Sequence, residues 1–257
     1  MAAPLGIPRR CRAFDRLRME SLRRYHEDTR DVANAVILVL PVFLLYQVGL
    51  LLTGGMRNGV DFVTDSLWRL ADESIIPYVG INFVLASVVF GVVLVSRRES
   101  RRPFRPALFW GVIAESCVYA MLMGGVILWV LSAVPGLNPS LSAGIKDASL
   151  VTRVVMSLGA GVHEEIVFRL LLFSGLVAAA ESWLKWRPPA AVGAALLVSS
   201  LLFSAIHYIG PYGDPFSAFS FAYRFVAGAI FAGLYSARSF AVAVYTHALY
   251  DVLVLVF

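Results

Sequence analysis

The sequence predicts an all-α fold: a polytopic membrane helix bundle with a polar cavity inside the bilayer. Three observations predict it. Of 257 residues, 59% are hydrophobic and only 15% are charged, and the mean hydropathy is +0.75; soluble domains run at about 45–50% apolar and about 25% charged. An apolar excess of that size cannot all be buried in a water-soluble core, because a wet surface must remain. The apolar residues fall in runs of about 20, the length that crosses roughly 30 Å of hydrocarbon as a helix. Positive charge is nearly all Arg, grouped beside those runs, and Lys146 and Lys185 are the only lysines. These features exclude a soluble enzyme, a disordered chain and a disulfide-stapled secreted domain.

The elements follow in chain order. Residues 1–31 form a basic segment carrying Arg9, Arg10, Arg12, Arg16, Arg18, Arg23, Arg24 and Arg30. Asp15, Glu20, Glu27, Asp28 and Asp31 interrupt it, so it is a poor track for phosphates, and the net charge of +5 does not indicate nucleic acid. A charged stretch of about 30 residues is also too long to open a cleavable signal peptide. The first span is expected at 32–52. The loop 56–78 carries Asp61, Asp65, Asp72 and Glu73, and Phe62, Leu67, Trp68, Leu70 and Ala71 are spaced as in a short surface helix. The second span, 80–96, ends on Arg97, Arg98, Arg101, Arg102 and Arg105.

The third span, 107–134, is longer than a crossing needs and should tilt. The fourth run, 150–180, is interrupted by His163, Glu164, Glu165 and Arg169. Three more spans are expected at 189–209, 216–237 and 240–257. That makes about seven transmembrane helices, or eight if the fourth run divides. The excess of Arg in cytoplasmic loops places the N-terminus, the second Arg cluster and Arg238 inside and the acidic loop outside. The expected organisation is a cytoplasmic segment, 1–31, followed by one membrane domain, 32–257, in a prokaryotic cytoplasmic membrane. Trp183, Trp186 and Arg153 read as interfacial residues. Cys11 and Cys117 have neither metal-type spacing nor a reason to pair.

Carboxylates inside a spanning helix cost about 2.5–3.5 kcal/mol each on insertion scales, so those that occur there mark a polar interior. Three groups stand out: His163-Glu164-Glu165-Ile166-Val167-Phe168-Arg169, Phe203-Ser204-Ala205-Ile206-His207 and His247-Ala248-Leu249-Tyr250-Asp251. Glu165 and Arg169 are four apart and pair as ions on one face. Glu164 is rotated by about 100° onto another face. Phe203 and His207 share a face, as do His247 and Asp251. Glu164, His207, His247 and Asp251 are thus placed to converge from three helices. Such a set activates water, stabilises an oxyanion or binds a divalent metal such as zinc. Glu115 and Arg224 read as residues that satisfy partners within the bundle, and His163 is an even choice between a third ligand and a structural histidine.

Other intramembrane chemistries each lack a part. The zinc motif His-Glu-x-x-His fails at Val167. Ser174-Gly175 has no supporting pattern for a serine nucleophile. An aspartyl pair would need a second intramembrane Asp beside Tyr250-Asp251, and Asp214 lies in a short Pro-flanked loop.

The three groups, in order, resemble the motif set of the CPBP family of intramembrane proteases, which includes CAAX prenyl endopeptidases, bacteriocin-processing proteins and myxosortase-like members. The set is Glu-Glu-x-x-x-Arg, Phe-x-x-x-His and His-x-x-x-Asn/Asp, here Glu164-Glu165 to Arg169, Phe203 to His207 and His247 to Asp251. The resemblance covers roughly residues 145–257. It implies an endopeptidase that cuts a membrane-anchored or lipidated protein near its C-terminus or anchor. Glu164 and His207 would activate the water, His247 and Asp251 would steady the oxyanion, and Glu165, Arg169 and Phe203 would support them. Prenyl-protein members carry Asn where this chain has Asp251, which must then be protonated, orient His247 or help hold a metal. The resemblance leaves metal dependence open, with a metal-free glutamate-activated water preferred; a metal would sit among Glu164, His207, His247 and Asp251. The bilayer and its anchored substrates are the expected partners. Other readings are a non-catalytic relative, such as a bacteriocin self-immunity protein, and a proton-coupled carrier. The carrier reading is the weaker, because no paired halves are visible.

Overall fold

The computed structural model describes residues 9–53, 102–137, 148–209 and 213–256, with scattered positions between 69 and 98; of residues 9–18 only the backbone is described. The expected second span at 80–96 and the surface helix within 56–78 therefore lie outside the continuously described residues. The described elements are helical: α1 Arg9–Arg30, α2 Val32–Leu52, α3 Ala107–Ser132, α4 Leu150–Glu165, a π-helical stretch Ile166–Phe173, α5 Ser174–Ser182, α6 Pro188–Ile206, α7 Ala218–Ala237 and α8 Phe240–Val256. Helices α2, α3, α6 and α7 are long and apolar enough to cross a membrane, and α8 is a shorter apolar helix. The described residues are all-helical, and the chain is a multi-pass membrane protein.

Local chemistry sets the boundaries. Asp31 ends the basic helix and caps the next, its carboxylate accepting from the Asn34 amide at 3.0 Å. Ser149 caps α4 by accepting from Thr152 N at 3.1 Å, and Ser239 caps α8 by accepting from Val242 N at 3.2 Å. Pro188 and Pro189 open α6 where no helical donor is needed. The charged interruption of the fourth run does not split it. Helices α4 and α5 continue through the π-helical turn, where the Ser174 amide reaches back five residues to the Arg169 carbonyl.

Two glycines set the packing around the interior polar groups. A Cβ at Gly161 would stand 2.7 Å from the backbone nitrogen of Ala248, so only glycine lets α4 lie this close to α8 beside His247. A Cβ at Gly228 would stand 3.0 Å from the Phe203 ring and 3.1 Å from Ser200 Cα, which brings α7 against α6. Helix α8 packs chiefly on α4 and α3 and forms the centre of the bundle.

The arginine-bearing segments gather at one end. Arg30 donates to the Ser236 carbonyl at 2.8 Å, and Asp28 pairs with Arg102 and Arg105. Arg102 also meets Glu27 at 2.7 Å, and these acids hold its pKa above the ordinary arginine value. Arg238, at the α7–α8 turn, grips Glu115 on α3 with Nη2 at 2.9 Å, and Tyr25 on α1 donates to the same carboxylate at 2.8 Å. The basic N-terminal segment is thus a helix docked across this end of the bundle, which composition alone did not indicate. At the opposite end Arg153 donates to the Leu255 carbonyl at 3.0 Å, supplying a partner to the last turn of α8.

Candidate active site

The three sequence groups meet between α4, α6 and α8. Glu165 and Arg169 pair at 3.1 Å and are both fully buried. The Glu165 carboxylate also accepts from Nδ1 of His247 at 2.7 Å. A carboxylate only accepts, so Nδ1 is the donor and Nε2 of His247 turns toward Glu164 and Asp251. Its distances are 3.7 Å to Glu164 Oε2 and 3.6 Å to Asp251 Oδ2. One imidazole is held by one carboxylate and presented to two others.

His207 follows the last residue of α6. Its Nδ1 donates to the Phe203 carbonyl at 2.7 Å, which leaves Nε2 facing Glu164 Oε2 at 4.0 Å. Glu164 Oε2 is buried and has no hydrogen-bond partner among the described residues. It lies between the Nε2 atoms of two histidines, at separations too long for direct bonds but suited to one small bridging molecule. All four residues expected at the centre are therefore brought together.

Aromatic rings wall the cluster. Phe203 meets His207 edge-on at 5.1 Å and His247 at 5.9 Å. The Arg169 guanidinium lies 4.4 Å from the Phe203 ring centre, so the cation of the Glu165 pair is held by an aromatic face as well as by the Gly228 carbonyl at 3.2 Å. Phe231 stacks on His247, centres 4.2 Å apart and planes 16° apart. Sequence reading did not find Phe231. It is one aromatic among several on α7, and nothing in its spacing marks it.

His163 lies elsewhere. Its Nδ1 bonds to the Gly159 carbonyl at 2.9 Å and its ring packs on Tyr46 at 5.1 Å, so it belongs to the α2–α4 interface and not to the Glu164 cluster. Glu115 and Arg224 do have bundle partners: Glu115 has Arg238, Tyr25 and Tyr119, and Arg224 has Asp214. A separate cavity of about 540 Å³ is apolar, lined by Pro41, Phe109, Trp110, Tyr245, Leu249 and Val252 among others.

Zinc held by nitrogen and oxygen at about 2.0–2.1 Å in a tetrahedron sets its donors about 3.3 Å apart. The donor pairs here stand 3.6–4.0 Å apart, and among the described residues no three His, Cys, Asp or Glu side chains are gathered to hold a metal. The residue types suit zinc, but their separations do not fit it as they stand.

A bundle of apolar helices thus surrounds a buried carboxylate–imidazole cluster. Residues 146–253 match the family model described as Rce1-like, type II CAAX prenyl endopeptidase Rce1-like, so the motif-bearing part of the chain is similar to the CPBP family of intramembrane proteases. No curated protein and no solved structure gives a match.

Proposed function

We propose that the protein is an intramembrane endopeptidase that hydrolyses a peptide bond near the C-terminus or membrane anchor of a membrane-attached protein. The observation that carries this reading is the unpartnered Glu164 Oε2, held 3.7 and 4.0 Å from the Nε2 atoms of His247 and His207. A water at that point donates one hydrogen to Glu164 and the other to His207, whose Nε2 is an acceptor because Nδ1 is committed to Phe203. As its oxygen attacks the scissile carbonyl, Glu164 takes the proton and later delivers it to the leaving amine. His247, as the imidazolium with both ring nitrogens protonated, donates from Nε2 to the oxyanion. Glu165 fixes its ring through Nδ1, and Asp251, one helical turn away, keeps Nε2 supplied with its proton. Every step uses side chains of this chain.

Access supports a direction. Glu164 and His247 are buried, whereas His207 and Asp251 are 15% and 25% exposed. Both lie toward the ends of α6 and α8 remote from the arginine-rich end. With that end in the cytoplasm by the arginine rule, substrate enters from the outer side or from the outer leaflet.

The test is hydrolysis of lipidated peptides and C-terminal anchor segments by wild type and Glu164→Ala in the same membranes. Cleavage by wild type and none by the variant is expected. Undiminished cleavage by the variant, or none by wild type on either substrate class, rules the reading out. Repeating the assay under strong chelation decides the metal question, and full activity is expected.

A further inference from the structure

The rim of the site carries a cation that the proposed hydrolysis does not use. Four partly exposed polar side chains surround the opening: His207, Asp251, Arg224 and Asp214. Arg224, on the second turn of α7, donates through Nη2 to Asp214, and its guanidinium lies 5.3 Å from the Tyr208 ring centre. Asp214 is held in turn, because its amide donates to the His207 carbonyl at 2.9 Å.

Two donors in this group are left over. Nη1 of Arg224 and the Tyr208 hydroxyl are both enclosed and have no hydrogen-bond partner among the described residues. Enclosed polar atoms without partners are rare in folded proteins and call for an explanation. A structural salt bridge accounts for Nη2 and Asp214. It does not account for a second guanidinium nitrogen and a neighbouring phenol, both lacking acceptors beside His207. Their complement is a group with one negative charge and two acceptor oxygens, which is a carboxylate.

We propose that Arg224 and Tyr208 bind a carboxylate of the substrate, namely the free C-terminal carboxylate of the chain being cut. This rests on the peptidase reading and adds to it a ruler: fixing the chain end beside His207 sets how many residues separate the end from the scissile bond. An acidic side chain offers the same chemistry, and the test separates the two sources.

Binding is measured on the full chain in lipid nanodiscs, in a Glu164→Gln background so that nothing is cut. The probes are one lipidated peptide with a free C-terminus, its C-terminal amide, and the amide carrying one internal Glu. The free carboxylate should bind about tenfold more tightly than the amide, one charge-assisted contact being of that size. Adding Arg224→Gln should erase the preference and Tyr208→Phe should reduce it. Asp214→Asn breaks the same ion pair yet should keep or increase the preference, because a competing carboxylate is gone. The assignment is overturned by an absent preference, including absent binding, by one that survives Arg224→Gln, or by one lost equally in Asp214→Asn. The internal-Glu amide binding as tightly as the free terminus overturns the chain-end assignment. A wild type that binds with this preference but cleaves nothing tells against the peptidase reading alone.

Discussion

Two carboxylates on the bundle helices, Glu115 and Glu164, are built differently. Glu115 on α3 receives Arg238 through Nε and Nη2, Tyr25 at 2.8 Å and Tyr119 at 3.0 Å. Its acceptor capacity is filled from α1, from its own helix and from the α7–α8 turn. Glu164 on α4 stands near His207 and His247, yet its Oε2 is buried and bonded to none among the described residues. Desolvating a carboxylate without compensation is costly, so a saturated carboxylate reads as a fastener and an unsaturated one as a group kept ready for something absent from the chain. The neighbouring Glu165 stands between the two: its Oε1 meets both Arg169 and His247, while its Oε2 is buried with no hydrogen-bond partner among the described residues.

Exchanging the two charges for amides gives the largest contrast. Glu164→Gln should lower kcat by up to about 10⁴, as expected for loss of a general base, while the melting temperature in detergent stays level or rises. Glu115→Gln should do the reverse, lowering the melting temperature with kcat within about twofold. If Glu164→Gln unfolds the protein, or Glu115→Gln abolishes turnover at unchanged stability, the distinction between fastener and working group collapses.

Next in size is the pair that supports the site. Glu165→Gln leaves the Arg169 guanidinium buried without its counter-ion, and breaking a buried pair costs about 3–5 kcal/mol. Stability and turnover should fall together. Arg169→Lys should rescue little, since an ammonium cannot serve at once Glu165 at 3.1 Å, the Gly228 carbonyl at 3.2 Å and the face of Phe203. Wild-type stability in Arg169→Lys, by thermal unfolding, would show that the guanidinium geometry is dispensable. A smaller effect is expected from Phe231→Leu, which removes the ring stacked on His247. An aromatic contact of this kind is worth about 0.5–1.5 kcal/mol. The expected result is about a tenfold lower kcat at constant KM, and a change in KM alone would assign Phe231 to substrate binding instead.

What was legible in the sequence followed from short-range rules. The first span, expected at 32–52, is the helix Val32–Leu52, because apolar length and an Asp cap are local properties. The pairings within motifs, Glu165 with Arg169 and Phe203 with His207, follow from helical periodicity and are present. Contacts between elements were legible only as a coincidence of three motifs in order. Nothing local says that Glu165 also holds His247, 82 residues away, or that Phe231 covers that ring. In the sequence the π-helical turn shows only as an interruption, since charge within an apolar run signals an irregularity without specifying it. In the sequence Asp214 is only a loop residue, because its importance depends on Arg224 folding back to meet it.

The smallest effect tests the fastener from outside the membrane. Burial, then the hydrogen bond to Glu115, raises the Tyr25 hydroxyl well above its ordinary pKa of 10.0, and the hydrogen bond to Glu115 raises Arg238. For an acid whose folded pKa is raised, the stabilisation is complete below the unfolded pKa and is lost as pH rises toward the folded one. Docking of α1 through Tyr25 should therefore contribute a constant amount from pH 5 to about pH 9 and weaken only above about pH 10. Tyr25→Phe removes one hydrogen bond to a charged acceptor on a half-buried side chain, so about 1 kcal/mol of stability should go. The alkaline fall in melting temperature should flatten in the variant while turnover is unchanged. A loss of turnover larger than the stability change explains would join α1 to the working site and make the two carboxylates parts of one device.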